Sequence, residues 1–221
     1  MCPQAYDKGG MREEFSNSSR RLVEIGRRFD ALGWVLGTSG NFSIVLDREP
    51  LRLAITASGI PKGDLTPNQI LEIDANCAVV QRSAVVRPSA EARLHVAIAR
   101  VKGAGSILHT HSIWSTVLSE RYASTHGLMI EGYEMLKGLE GVTTHKHREW
   151  IPIIENDQDT TRLSDKVRGI LIRYPTAHAF LLRRHGLYTW GDTVAQAVRH
   201  VEIVEFLLEA VARSEAPTWQ P

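Results

Sequence analysis

Cysteine is nearly absent: Cys2 and Cys77 are the only two in 221 residues. So few thiols build neither a disulfide framework nor a thiolate metal cage, and a reducing cytoplasm is the compartment such a chain suits. An excess of one charge is missing too. Lys and Arg number 26 against 25 Asp and Glu, a formal +1, which excludes the basic footprint of an ordinary nucleic-acid binder. No apolar run reaches the roughly 18 residues of a membrane span. Met1 to Arg28 is polar and charged and has no apolar core of a signal peptide, so secretion and membrane association are not expected. No internal repeat, linker-like or low-complexity stretch divides the chain. What remains, at 43% hydrophobic and 23% charged, is the composition of an ordinary globular domain. The expectation is one unit over residues 1–221, with a core of about 11–213 and short flexible tails.

Periodicity alternates between helix and strand. Phe15, Leu22, Ile25, Phe29 and Leu32 recur at helical intervals and stop before Gly33. Phe42 to Leu46 and the alternating Leu51, Leu53 and Ile55 read as a hairpin, and Thr66-Pro67 reads as a helix start before short apolar runs at 70–73 and 78–80. Ser89 is placed to cap a helix through Leu94, Ala97, Ile98 and Val101. That helix ends at Gly103, before a strand at Ser106 to Thr110. Ser112 caps a further helix through Leu118, a short helical stretch covers about Glu131 to Leu139, and Trp150 to Ile154 suggests a strand. Leu163 to Leu171 is a helix stopped by Pro175; strands follow at Ala177 to Leu182 and Leu187 to Trp190; Asp192 caps a final apolar-striped helix, and Ser214 to Pro221 is a loose tail. Short turns between strand pairs predict an α/β fold with helices covering a largely antiparallel or mixed sheet.

Nine histidines carry most of the chemical information. His109 and His111 flank Thr110 at a strand end, and side chains two apart on a strand share a face, about 6.6 Å between Cα atoms. Two imidazoles so placed can converge on one ion; equally, they can be buried histidines bonded to backbone. Catalytic zinc takes three protein ligands and keeps a position open, and His185, at a strand end before Gly186, is the best third candidate, unless it is an exposed turn residue. His145 and His147 repeat the spacing inside a charged run that reads as a solvated loop; His95, His126, His178 and His200 receive no metal role.

Two loops, Gly37-Thr38-Ser39-Gly40-Asn41-Phe42-Ser43 and Thr56-Ala57-Ser58-Gly59-Ile60-Pro61-Lys62-Gly63, are rich in small and hydroxyl residues. Backbone N–H groups in such loops can cradle a phosphate, though neither matches a dinucleotide or P-loop motif, and each could be simply a turn. Glu91 and Glu134 are the carboxylates of interest: beside a divalent cation either can act as general base, while acids at helix starts more often cap or solvate.

Taken together, these loops, Arg87-Pro88-Ser89-Ala90-Glu91, His109-Thr110-His111 and Arg184-His185-Gly186 resemble, in order and spacing, the class II aldolase and adducin family, over about Leu22 to Leu208. The resemblance implies a three-layer α/β/α fold and one zinc ion per subunit held by His109, His111 and His185. It also implies a homo-oligomer, often a tetramer with its site at a subunit interface, and a phosphorylated ketose as substrate. Gly40 lies in the first loop, and Asn41, Ser58, Gly59 and Ser89 match the family's phosphate-binding positions; Ala90 departs from the serine common in the aldolases. Glu131 to Leu139 and Ile151 to Asn156 are similar to the family's dehydratase branch. That likeness implies loss of water from a methylthio-bearing ketose phosphate in methionine salvage, with Glu134 as base and Glu91 as the alternative. Trp114, Tyr133 or Met135 would supply an apolar wall, or equally belong to the core. A sugar-phosphate aldolase and a non-catalytic scaffold on the same fold stay open at this point.

Overall fold

A computed structural model describes residues 8–81 and 87–214; Cys2 and the tail expected beyond Ser214 lie outside the described residues. The first helix, α1 (Lys8–Ala31), buries Leu22, Ile25 and Phe29. Gly33, at φ +73°, closes it: the Trp34 N–H donates to the Phe29 carbonyl and the Gly33 N–H to the Asp30 carbonyl, both at 2.9 Å, the paired bonds of a Schellman stop. Then follow β1 (Asn41–Arg48) and β2 (Leu51–Thr56), the expected antiparallel hairpin. Thr66-Pro67 opens only a single 3-10 turn, Pro67–Gln69. The chain then enters β3 (Ile70–Asp74) and β4 (Val79–Gln81), because Leu71 and Ile73 have β2 to pack beside.

After α2 (Ala92–Lys102) comes β5 (Ser106–Thr110), then α3 (Ile113–Arg121), β6 (Gly127–Glu131) and β7 (Arg148–Ile154). The chain ends in α4 (Thr160–Arg173), β8 (Ala179–Leu182), β9 (Gly186–Gly191) and α5 (Val194–Ser214). Among the described residues nine strands form one sheet, ordered β4-β3-β2-β1-β5-β9-β8-β7-β6. Every pairing is antiparallel except β7 with β8.

Strand alternation sorts the layers. Leu53, Ile55, Ile107, Phe180 and Tyr188 point to the face covered by α2 and α4. Phe42, Leu108, Leu181 and Leu187 point to the other, covered by α1, α3 and α5. The chain therefore has the three-layer α/β/α architecture of mixed sheet and flanking helices. No described helix is long and apolar enough to cross a membrane.

Four local expectations are corrected. Glu91, not Ser89, is the N-cap of α2, and it makes no side-chain cap bond. Ser89 Oγ instead accepts the Glu91 N–H at 3.2 Å, one turn earlier. At α5, Thr193 replaces Asp192 as the capping side chain, Oγ1 accepting the Gln196 N–H at 3.2 Å. Strand β6 has no counterpart in the sequence reading: its five residues GLMIE are too short to separate from a loop until they pair with β7. The helical stretch near 131–139 contracts to a 3-10 segment, Glu134–Gly138.

Candidate metal centre

Sheet topology brings distant segments to one end. Strand β1 runs antiparallel to β5, so Asn41 at its start pairs with His109 near the end of β5. Across β5, His109 pairs with Tyr188 and Thr110 with Leu187 of β9, which puts the β8–β9 turn, with Arg184 and His185, beside the same end. The turn is tight: Arg184 sits in the left-handed region at φ +54°, held by its N–H to Ser119 Oγ at 3.0 Å. Gly186 can only be glycine, since a Cβ there would lie 2.1 Å from the Thr110 carbonyl. Gly40, at φ +72°, is similarly confined by Val35 and the His109 carbonyl.

At that end His109, His111 and His185 offer three ring nitrogens within 4.8 Å of one another. His109 is buried; the other two are half-buried, so the cluster opens to solvent on one side. His109 Nδ1 donates to the Leu187 carbonyl at 2.9 Å, which leaves Nε2 as the lone pair, 2.8 Å from His111 Nε2. His109 also stacks on Tyr188, centroids 3.9 Å apart at 11°, and Tyr188 on Phe180. The ring is therefore fixed in both plane and tautomer, as a metal ligand requires. Burial, then the neighbouring histidines, hold His109 well below its ordinary value, and burial with His185 and Lys62 nearby lowers His111 to about 4. Neutral imidazoles are the state that coordinates a cation. The donor set, three imidazole nitrogens with an open side, fits a divalent metal such as zinc.

Glu91 is the carboxylate of this cluster. Its Oε1 stands 3.2 Å from His185 Nε2 and its Oε2 3.6 Å from His109 Nε2. Asn41 Nδ2 donates to Glu91 Oε2 at 2.7 Å, and Asn41 Oδ1 is bonded to His95 Nε2. His95 Nδ1 in turn meets Ser43 Oγ at 2.8 Å. Asn41 and Ser43, two apart on β1, share a face and both anchor His95, whose buried ring is driven down to about 3 and so stays neutral. Burial, then the Glu91 charge, raises the Tyr188 phenol well above its ordinary value.

The other expected residues fall into two groups. Ser89 Oγ accepts from Asn41 Nδ2 at 3.4 Å, and the loop of Ser58 and Gly59 is tied to that segment: Ala57 bridges Pro88, and the Ser58 N–H donates to the Arg87 carbonyl at 2.9 Å. Gly59, at φ +76° with nothing within 4 Å of its would-be Cβ, faces open space. Glu134 stands apart, 68% exposed and paired with Lys137, which holds its carboxyl below the ordinary value; it touches none of the three histidines of its own chain. His147 and His178 instead bind the buried Glu149, at 2.7 and 3.1 Å, on strand starts at the opposite end of the sheet. Sequence reasoning gave no role to His95, Tyr188 or the buried Lys62. The i,i+4 spacing of Glu91 and His95 was the available signal for the first.

A family model described as class II aldolase and adducin N-terminal domain matches residues 20–212. Methylthioribulose-1-phosphate dehydratase of Methylococcus capsulatus is 44% identical over 201 residues, 90% of this chain and 95% of that protein. The protein of the same name from Parvibaculum lavamentivorans is 40% identical over 206 residues, 93% and 98% of the two chains. Among solved structures, YgbL of Klebsiella pneumoniae aligns with TM-score 0.77 at 20% identity, covering 92% of each chain. An L-fuculose 1-phosphate aldolase aligns with TM-score 0.72 at 23% identity, covering 93% of this chain and 91% of its own. At such identities the solved structures speak for the fold alone.

Proposed function

The chain belongs to the class II aldolase and adducin family, and on that premise we propose that it is a methylthioribulose-1-phosphate dehydratase. It would remove water from 5-methylthioribulose 1-phosphate to give 2,3-diketo-5-methylthiopentyl 1-phosphate, in methionine salvage. The observation that carries the reading is the convergence of His109, His111 and His185 with an open side, in a chain 40–44% identical to proteins of that name.

Zinc held by the three histidines would supply Lewis acidity toward the vicinal carbonyl and hydroxyl oxygens at C2 and C3, acidifying the C3 proton. The protein's own part is proton transfer and positioning. Glu91 is held by Asn41 with its oxygens beside the Nε2 atoms of His185 and His109, so it would sit at the metal end and face the substrate oxygens. Glu134 is free of the cluster and exposed; presented by a neighbouring copy, it takes the C3 proton. As that electron pair forms the C3–C4 double bond, the C4–O bond breaks, the proton taken from C3 is passed to the departing hydroxide, which leaves as water, and the enol tautomerises to the diketone.

A homo-oligomer, expected to be a tetramer, is part of this proposal. Leu36 and Ile113, 62% and 67% exposed beside the cluster, and Met135, 37% exposed beside Glu134, are apolar surface of the kind subunit interfaces cover. Gly40, Asn41, Ser58, Gly59 and Ser89 would line the phosphate end; Trp114 and Tyr133 pack against the core, and their exposed parts with Met135 would form the wall for the methylthio end.

Incubation of zinc-loaded protein with methylthioribulose 1-phosphate, read by mass spectrometry, tests the reading. Loss of one water supports it. Two smaller carbonyl fragments would place the protein with the aldolases, and no conversion by fully metallated oligomer would favour a scaffold.

A further inference from the structure

A buried ammonium without a carboxylate lies between the two small-residue loops. Lys62 is 1% exposed, and its Nζ donates to the Thr38 carbonyl at 3.1 Å and to the Ile60 carbonyl at 2.8 Å. Thr38 belongs to the first loop and Ile60 to the second, so one side chain joins both. Among the described residues no Asp or Glu is bonded to Nζ; the Asp30 carboxylate, on α1, lies against Gly63 instead. The ammonium is close enough to the histidine cluster for its charge to act on His111.

Two neutral carbonyls do not neutralise a buried cation, and an uncompensated buried charge is strongly unfavourable. Such a residue persists when an anion completes its surroundings. The two loops it joins are those whose backbone N–H groups, hydroxyls and exposed Gly59 suit a phosphate. We propose that Lys62 is the buried counter-ion of the substrate's phosphate, fixing the separation of the two loops through its carbonyl bonds and supplying the positive charge that the dianion meets. Burial lowers its pKa only to about 8, so the side chain is charged at neutral pH. The inference rests on the dehydratase reading for the phosphate's bearer, not for the presence of an anion site.

Lys62→Gln keeps N–H donors for the carbonyls and removes the charge; Lys62→Met removes both; Lys62→Arg keeps the charge. Calorimetric titration with inorganic phosphate, on zinc-loaded and metal-stripped protein, reads the site without catalysis. The expected result is at least a tenfold weaker phosphate affinity in Lys62→Gln and Lys62→Met, near-native affinity in Lys62→Arg, and unchanged zinc content. In turnover, KM for the phosphorylated ketose should rise with kcat much less affected. Phosphate affinity unaltered in whichever neutral variant folds would overturn the proposal and leave Lys62 a structural brace. Phosphate binding that depends on Lys62, without water loss from the ketose, would sink the dehydratase reading and leave this one standing.

Discussion

At the scale of single residues the histidine trio and Glu205 carry the sharpest consequences. Alanine at His109, His111 or His185 should strip zinc and lower activity by roughly 100-fold or more, with the melting transition still cooperative; metal analysis beside the rate assay checks it, and a fully metallated His185→Ala would remove that ring from the ligand set. Glu205 concerns stability. It is buried at 2% exposure; its Oε1 accepts the Thr110 hydroxyl at 2.7 Å, its Oε2 has no partner, and burial raises its carboxyl to about 7. The fold thus favours the protonated form, so the stability this group lends is complete below its unfolded value near 4.5 and is lost as pH rises through about 7. That loss is on the order of 3 kcal/mol. Glu205→Gln, neutral at every pH, should melt at a temperature that falls less between pH 5 and pH 8 than the native protein's; parallel slopes would show that the carboxyl is ionised throughout.

At the scale of elements the lesson lies in caps and short strands. Thr193 and Gln196 stand three apart, the spacing of a capping box, yet the Gln196 side chain takes the Asp192 N–H while Thr193 takes the Gln196 N–H. Thr193→Ala should destabilise the fold by about 1 kcal/mol and Asp192→Ala by only a few tenths, measurable as urea midpoints; the reverse ranking would restore Asp192 as the cap. Sequence periodicity located α1, α4 and α5 because each shows several turns of one apolar stripe. It missed β6, whose five residues of alternating burial acquire meaning only from hydrogen bonds to β7.

At the scale of the whole molecule, the separation of Glu134 from its own chain's histidines has a direct test. A His109→Ala protein lacks the metal site and a Glu134→Gln protein lacks the proposed base. If each site draws Glu134 from a neighbour, unfolding and refolding the two inactive proteins together should regenerate a minority of intact sites, on the order of a quarter. Mixtures as inactive as their parents would return the C3 proton to Glu91, a result that loss of C3 deuterium exchange in Glu91→Gln would corroborate.

Sequence alone determined the alternation of helices with a largely antiparallel or mixed sheet, the hairpins and the candidacy of His109, His111, His185 and Glu91. These are set by local periods, by turn residues such as Gly33 and Gly186, and by residue types whose chemistry is read without coordinates. Tertiary structure decided which candidates share a site. The antiparallel register of β1, β5 and β9 sets Asn41, His109 and Tyr188 side by side, and no spacing along the chain encodes that adjacency. It also decided that Lys62 and Glu205 are buried, since burial belongs to packed layers and not to any one segment, and that Glu134 pairs with Lys137 and not with the histidine trio of its own chain.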